Sequence, residues 1–130
     1  MSFIQGTSTF KLKSSLQLTD FVDQLLEPIN KYKHFYLIKL GLHEALVNAV
    51  KHGNKLDPDK LVKVKRIITP NWCIWQIHDQ GRGLKIDRRK FDLPNHIDSV
   101  SGRGLFIIHE CFDDVRWSPK GNRLQLALKR

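Results

Sequence analysis

Three polar residues recur at four-residue steps within a stretch of the chain that is rich in apolar residues. They are Glu44, Asn48 and His52, in the segment LHEALVNAVKHGNK. Each step of four advances about 40° around a helix of 3.6 residues per turn, so a helix would align the three side chains in one stripe. A carboxylate can take a proton from an attacking hydroxyl, an amide oxygen can bind Mg²⁺, and an imidazole can line a ligand site. The alternative is a solvated stripe in which Glu44 pairs with a lysine.

The segment HDQGRG, at residues 78–83, is a second candidate feature, because it directly follows the predicted strand WCIWQI. Asp79 could accept a hydrogen bond from an exocyclic amine such as that of adenine. Gly81 and Gly83 would let the backbone approach a ligand closely. The alternative is a plain turn after the strand, since Asp and Gly are common turn residues.

A third feature is SGRGL, residues 101–105, where a glycine-rich loop is predicted to run into a helix. Unpaired N–H groups at a helix N-terminus, together with a nearby arginine, form a natural phosphate site. The segment is not a Walker A motif, because no Gly-Lys-Ser/Thr follows it. A helix that simply begins with glycines is the alternative.

The elements that would position these residues follow from apolar spacing. STFKLKSSL alternates and predicts a first strand, and LTDFVDQLLEPINKY predicts a helix that Thr19 or Asp20 can cap. A second helix is expected over about 34–52, ending at Gly53 as a left-handed cap.

Two hairpins and one further helix complete the predicted fold. LVKVKRIIT and WCIWQIHD, joined by Pro-Asn, form the first hairpin, and the chain ends in a second one around Gly121. Between them, RGLFIIHECFD predicts a helix. The long irregular segment QGRGLKIDRRKFDLPNHIDSVSG precedes that helix, and such a segment in a small domain is typical of a lid or binding loop.

Composition sets the broad class of the protein. The 130 residues are 41% hydrophobic and 27% charged, which predicts one soluble domain over residues 1–130. No secretory signal or membrane-length apolar run is visible, and Cys73 and Cys111 lie outside metal-ligand spacing, so we expect free thiols in the cytoplasm. The net charge of +9 leaves nucleic acid, an acidic protein or an anionic ligand open.

Taken in order, the three features resemble the Bergerat-fold ATP-binding superfamily, which includes histidine kinases, type II topoisomerases and mismatch-repair ATPases. The matching segments are EALVNAVKHG, DQGRG and SGRGL. The residues of these segments and the short length of the chain look most like those of the bacterial anti-sigma factor serine kinases. The resemblance implies an α+β fold, a two-layer α/β sandwich in which three helices pack on a mixed, mostly antiparallel sheet. ATP would lie between the helices and the long loop.

The resemblance also implies a role for each matching residue. Glu44 would be the general base, Asn48 would bind Mg²⁺, and Asp79 would bind the adenine amine. His52 is expected at the nucleotide site, and Gly81 and Gly83 would shape the adenine pocket. The loop that closes over the phosphates would comprise the residues of SGRGL, namely Ser101, Gly102, Arg103, Gly104 and Leu105.

The implied function is a serine/threonine protein kinase that also acts as an anti-sigma factor. Its partners would be a sigma factor or a small antagonist protein, with neither nucleic acid nor membrane, and a homodimer is possible. A non-catalytic ATP- or ADP-binding module that sequesters a partner is the alternative, and a nucleic-acid-binding domain is a third. One departure from the family is Asn122, in KGNRL, where relatives often have threonine.

Overall fold

The computed structural model describes residues 5–81 and 100–130. Gly83 and nearly all of the predicted lid therefore lie outside the described residues. The strands are β1 (Gly6–Lys13), β2 (Leu61–Ile68), β3 (Trp72–His78), β4 (Asp114–Trp117) and β5 (Arg123–Lys129). The helices are α1 (Thr19–Leu25), α2 (Phe35–Asn48) and α3 (Val100–Cys111). A 3₁₀ turn, Glu27–Ile29, follows α1, and a π-helical turn, Ala49–Gly53, extends α2.

The five strands form one sheet in the order β1-β2-β3-β5-β4. All four pairings are antiparallel, so the described sheet contains no parallel pair that a mixed sheet would require. The predicted α+β architecture with three helices is confirmed. Both hairpins are also present: β2 pairs with β3, and β4 pairs with β5.

One face of the sheet packs against the helices and forms the core. Because side chains alternate along a strand, each strand contributes every second residue to that face. The fully buried members include Val62 and Val64 of β2, Trp75 of β3 and Leu126 of β5. The indole Nε1 of Trp75 donates a hydrogen bond to the carbonyl of Leu25, 3.0 Å away, and so fixes the end of α1 on the sheet.

Helices α2 and α3 approach each other closely at Gly41. A Cβ at that position would lie 2.7 Å from Cβ of Cys111 and 2.8 Å from the Phe112 ring. Only glycine permits this spacing. The contact sets α3 beside α2 and brings the beginning of α3 towards the polar stripe. No helix in the described ranges has the length and apolar character needed to cross a bilayer.

Two predicted helix caps are wrong. Neither Thr19 nor Asp20 caps α1, because the buried Leu18 occupies the N-cap position and no side chain caps the helix there. Gly53 is not left-handed either; Lys55 and Leu56 adopt positive φ values of 56° and 59° instead. After the π-helical turn, the left-handed residues come two positions later than predicted, beginning at Lys55. Gly53 is instead required by its contact with the Asp79 carboxylate.

Candidate functional site

A cleft lies between the C-terminal part of α2 and one end of strands β3 and β5. It is shallow and partly open to solvent. Its described lining residues are Ala45, Asn48, Ala49, Ile77, Asp79, Trp117, Asn122 and Leu124. The cleft therefore brings together two of the predicted site residues, Asn48 and Asp79, that are separated by 31 positions in the sequence. Its remaining walls are mostly apolar, as in sites that bind a flat organic ring.

Asp79 is a buried carboxylate at the wall of this cleft, with only 7% of its surface exposed. Burial raises the pKa of Asp79, and the hydrogen bond from the backbone N–H of Gly81, 2.8 Å from Oδ1, opposes that rise. Its own N–H donates to the carbonyl of Asn122, 3.1 Å away. One carboxylate oxygen is thus occupied by the protein. The described contacts leave Oδ2 to accept a hydrogen bond from a ligand donor.

Gly53 and Gly81 are required by how tightly the chain packs around Asp79. A Cβ at Gly53 would overlap the Asp79 carboxylate, and a Cβ at Gly81 would overlap the carbonyl of Gly53. The end of the π-helical turn and the segment after β3 therefore touch backbone to backbone. This is the observed reason for a glycine at position 53.

Sequence reasoning missed Asn54, whose side chain hydrogen-bonds to the segment after β3 and to the start of β2. Its side chain is fully buried. Its Oδ1 accepts from the N–H of Gln80 at 2.7 Å, and its Nδ2 donates to the carbonyl of Leu61 at 3.0 Å. Gln80 in turn accepts from the N–H of Leu61 at 2.7 Å. An asparagine after a helix is common in turns, so nothing in the sequence marked this one as structural.

Glu44 and Asn48 face the beginning of α3. A Cβ at Gly104 would lie 3.1 Å from Oε2 of Glu44 and 3.7 Å from the amide of Asn48. Asn48 is buried, and its Nδ2 has no hydrogen-bond partner among the described residues. A buried amide without a partner is unfavourable unless a ligand completes its hydrogen bonds. The helix stripe and SGRGL thus meet at Gly104.

His52 departs from the stripe because the helix changes type after Asn48. The N–H of Asn54 bonds to the carbonyl of Ala49 at 2.8 Å, a five-residue step that widens the turn. His52 lies within this turn and is not among the described residues that line the cleft. Burial, followed by Lys51 and Lys55, lowers the pKa of His52, which favours the neutral ring. Its role at a nucleotide stays a prediction.

The SGRGL segment is helical rather than a loop. Helix α3 begins at Val100, so Ser101, Gly102 and Arg103 belong to its first turn and Gly104 and Leu105 continue it. Glycine is a poor helix former, which is why the sequence favoured a loop. Gly104 is buried beside Glu44 and Asn48, and Leu105 packs against the core.

The residues present fit a nucleotide-bound magnesium ion. The described side chains do not include a group of three or more His, Cys, Asp or Glu that could hold a metal ion. Magnesium on a nucleotide needs no such group, because phosphates and water supply most of its ligands. The amide oxygen of Asn48, beside the carboxylate of Glu44, is the protein ligand that this arrangement offers, and the unpartnered Nδ2 could donate to a phosphate oxygen.

Asn122 and Trp117 complete the cleft from the last hairpin. The Asn122 Oδ1 accepts from the Ser118 hydroxyl at 3.3 Å, so the side chain is held at the tight turn around Gly121, where φ is 76°. Trp117 presents a buried Nε1 without a hydrogen-bond partner among the described residues. The residue that departs from the family pattern thus lies at the cleft itself.

Comparison with known proteins identifies the family of the chain. The profile of the histidine kinase-like ATPase domain matches residues 29–128. The chain is 28% identical over 86 residues to the serine-protein kinase RsbW of Listeria monocytogenes (strain HCC23), covering 61% of this chain and 55% of that protein. It is 29% identical over 86 residues to the RsbW of Bacillus subtilis (strain 168), covering 61% and 54%. The chain spans about half the length of these curated relatives. The predicted family is confirmed: the chain belongs to the histidine kinase-like ATPase domain family.

Proposed function

We propose that this protein is an ATP-dependent serine/threonine protein kinase that works as a partner-switching anti-sigma factor in the cytoplasm. The observation that carries the proposal is the meeting of the Glu44 carboxylate and the Asn48 amide with Gly104 of α3, next to the cleft that Asp79 lines. The relatives named as serine-protein kinases support the choice of acceptor. A sigma factor and a small antagonist domain are the proposed partners.

Adenine recognition would use the carboxylate oxygen of Asp79 that accepts no hydrogen bond from a described residue. Oδ1 already accepts from the Gly81 N–H at 2.8 Å, so Oδ2 is the atom for the adenine amine. The apolar walls from Ala49, Ile77 and Leu124 would pack on the ring. Trp117 and Asn122 would close the pocket from the hairpin side. With adenine at Asp79, the phosphates would lie towards Asn48 and Gly104.

Phosphoryl transfer would then take place beside Glu44. The acceptor hydroxyl oxygen forms a bond to the γ-phosphorus, the bond from that phosphorus to the β,γ-bridging oxygen breaks, and the hydroxyl proton passes to Glu44. Glu44 is half-buried and one turn from Asn48, which places base and metal ligand on the same side of α2. Mg²⁺, when bound, supplies charge neutralisation of the phosphates. The amide of Asn48 would bind it.

Titration calorimetry with ATP and Mg²⁺ tests the site first. The wild type should bind, and Asp79→Asn should weaken binding by about 30-fold or more, since a hydrogen bond to a charged group contributes roughly 2 kcal/mol. Because the Gly81 N–H would hold the oxygen of the substituted side chain, its NH₂ group would face the adenine amine, which is also a donor. The matched control is Asp59→Asn, at an exposed loop position, which should bind as the wild type does. An unchanged affinity in Asp79→Asn would refute this adenine site.

Transfer is tested separately with radiolabelled ATP and purified antagonist domains as acceptors. Glu44→Gln keeps the shape of the side chain but removes the base, so transfer should fall about 100-fold or more while ATP affinity changes little. An Asn48→Ala variant should lose both nucleotide affinity and transfer. Equal transfer by the wild type and Glu44→Gln would exclude Glu44 as the base. If the wild type binds ATP tightly but transfers phosphate to no acceptor, the result would support the alternative function, a non-catalytic module that binds ATP and sequesters a partner.

A further inference from the structure

The face of the sheet that points away from the helices carries a row of basic residues across four strands. Strand register places Lys11 of β1 opposite Lys63 of β2, Lys63 opposite His78 of β3, and His78 opposite Arg123 of β5. Directly paired residues lie on the same face of a sheet, about 5 Å apart. All four side chains are exposed. We call Lys11, Lys63, His78 and Arg123 the basic row.

The surroundings of the basic row do not neutralise it. The next row on the same face adds Lys65, with Gln76 and Gln125 hydrogen-bonded to each other at 2.8 Å. Among the residues paired in the described sheet, Asp114 is the single acidic one, and it already pairs with Arg116 at 2.8 Å. None of the four basic-row residues forms a salt bridge with a described residue. Lys11, Lys63 and Arg123 thus concentrate three of the positive charges behind the net charge of +9, a sum that counts histidine as neutral.

Folding alone does not account for this arrangement. Like charges placed directly opposite each other on neighbouring strands destabilise a sheet. A lysine on an edge strand is a common guard against aggregation, which explains Lys11 on β1. It does not explain Lys63, His78 and Arg123, because β2, β3 and β5 are interior strands. A surface that costs folding energy and protects no edge is typical of a binding surface.

The rest of the outer face indicates the kind of partner. Two rows further along the strands, Ile67 is paired with Ile74 and Ile74 with Ala127. Both isoleucines are only half-buried. Cations beside an apolar ridge match a protein surface that combines carboxylates with apolar side chains. A nucleic-acid surface would instead combine cations with several stacking aromatics, whereas the ridge is aliphatic and the aromatic beside it on the described outer face is the half-buried Trp72, paired with Lys129.

We propose that the outer face of the sheet, centred on the basic row and the Ile67–Ile74 ridge, is a docking surface for a protein partner with an acidic and apolar surface. The proposal does not depend on kinase activity. The surface lies directly behind the cleft: His78 precedes Asp79, and Arg123 follows Asn122. A partner seated there would contact the strand ends that hold the cleft without entering it.

Peptide binding measured by fluorescence anisotropy at low salt tests the proposal. The first probe is a helical peptide of about 18 residues with adjacent stripes of glutamate and leucine, and the second has serine in place of every leucine. A single-stranded DNA of about the same number of nucleotides is the third. The Glu/Leu peptide should bind most tightly, because it alone can use both the basic row and the apolar ridge.

Two double variants with equal charge locate the binding. Lys63→Gln/Lys65→Gln removes two exposed lysines from the outer face, and Lys31→Gln/Lys33→Gln removes two exposed lysines from the loop before α2. The first should weaken Glu/Leu peptide binding by about fivefold or more, and the second by less than about twofold. Unchanged ATP binding and circular dichroism in both variants would show that the fold is intact.

Three results would overturn the proposal. Equal losses in the two double variants would mean that bulk charge, rather than this surface, attracts the peptide. No binding of the Glu/Leu peptide by the wild type would remove the surface altogether. Tighter binding of the DNA, lost in Lys63→Gln/Lys65→Gln, would identify a nucleic-acid surface in its place.

Discussion

The two faces of the sheet are built from the same strands but differ in burial and in the kind of side chain that they carry. The face towards the helices is apolar and closed, and its central residue, Trp75, is fully buried and hydrogen-bonded to Leu25. The face away from them is mainly polar, with Gln76 next in the sequence and a row of basic side chains beside it, and its apolar part is the half-buried Ile67–Ile74 ridge. The first face holds the fold and the candidate site in place. Packing therefore determines the first face, whereas the second is available for binding.

The sharpest test of this difference is to truncate neighbouring residues on the two faces. Trp75→Ala should lower the free energy of unfolding by about 3–5 kcal/mol, because it leaves a large cavity and removes the shorter of the two hydrogen bonds to the Leu25 carbonyl. Gln76→Ala removes the bond to Gln125 on the outer face and should cost about 0.5–1 kcal/mol. Urea denaturation measures both variants. Similar losses would contradict the division of the sheet into a structural and a free face.

Asp79 lies at the boundary between the two faces and offers a test through pH. Burial raises its pKa in the folded protein above the unfolded value of about 3.9. The stabilising contribution of such a group is complete below the unfolded pKa and is lost as the pH rises through the folded pKa. At neutral pH the ionised carboxylate therefore destabilises the protein without ligand, and Asp79→Asn should unfold at a higher urea concentration than the wild type.

The advantage of Asp79→Asn should shrink as the pH falls towards about 4, where the wild-type carboxyl becomes protonated. Urea midpoints across this pH range measure it, and Asp59→Asn, at an exposed loop position, is the control that should show no comparable trend. A variant less stable than the wild type at neutral pH would mean that the Gly81 hydrogen bond outweighs burial. The expected result is that the ionised Asp79 carboxylate lowers the stability of the protein without ligand, although it is needed to bind the nucleotide.

The sequence predicted the apolar face better than the site or the outer face. The β-branched and aromatic residues of LVKVKRIIT and WCIWQIHD predicted β2 and β3, because strand composition and the Pro-Asn turn are local signals. The π-helical turn was missed, since a five-residue bond leaves no mark in the apolar spacing, and His52 was therefore placed in the stripe. The glycines of SGRGL predicted a loop, but close packing of α3 against α2 makes them helical.

The basic row could not be predicted, because its members are far apart in the chain. Lys11, Lys63, His78 and Arg123 are ordinary exposed residues in four separate segments, and only the strand register aligns them. The contacts of Asn54 depend in the same way on three-dimensional proximity. By contrast, the order of the Glu44, Asp79 and SGRGL features could be read directly from the sequence, and it was sufficient to predict the family.

The smallest expected effect is also the most direct check on the outer face. Lys63 lies between Lys11 and His78, so Lys63→Gln should raise the free energy of unfolding by a few tenths of a kcal/mol. The gain should be largest at low ionic strength and vanish near about 1 M salt, where the Debye length falls to about 3 Å. Lys33→Gln, at an exposed position in the loop before α2, is the matched control and should change stability less.

A loss of stability in Lys63→Gln, independent of salt, would mean that the aliphatic stem of the lysine packs on the sheet and that this contact outweighs the repulsion. The basic row would then have a structural reason, and a docking surface would no longer be needed to explain it. A gain that salt abolishes would have the opposite meaning. It would show that the fold tolerates a repulsive row that it could relieve by a single substitution. Such a row is expected where an acidic partner supplies the missing countercharge.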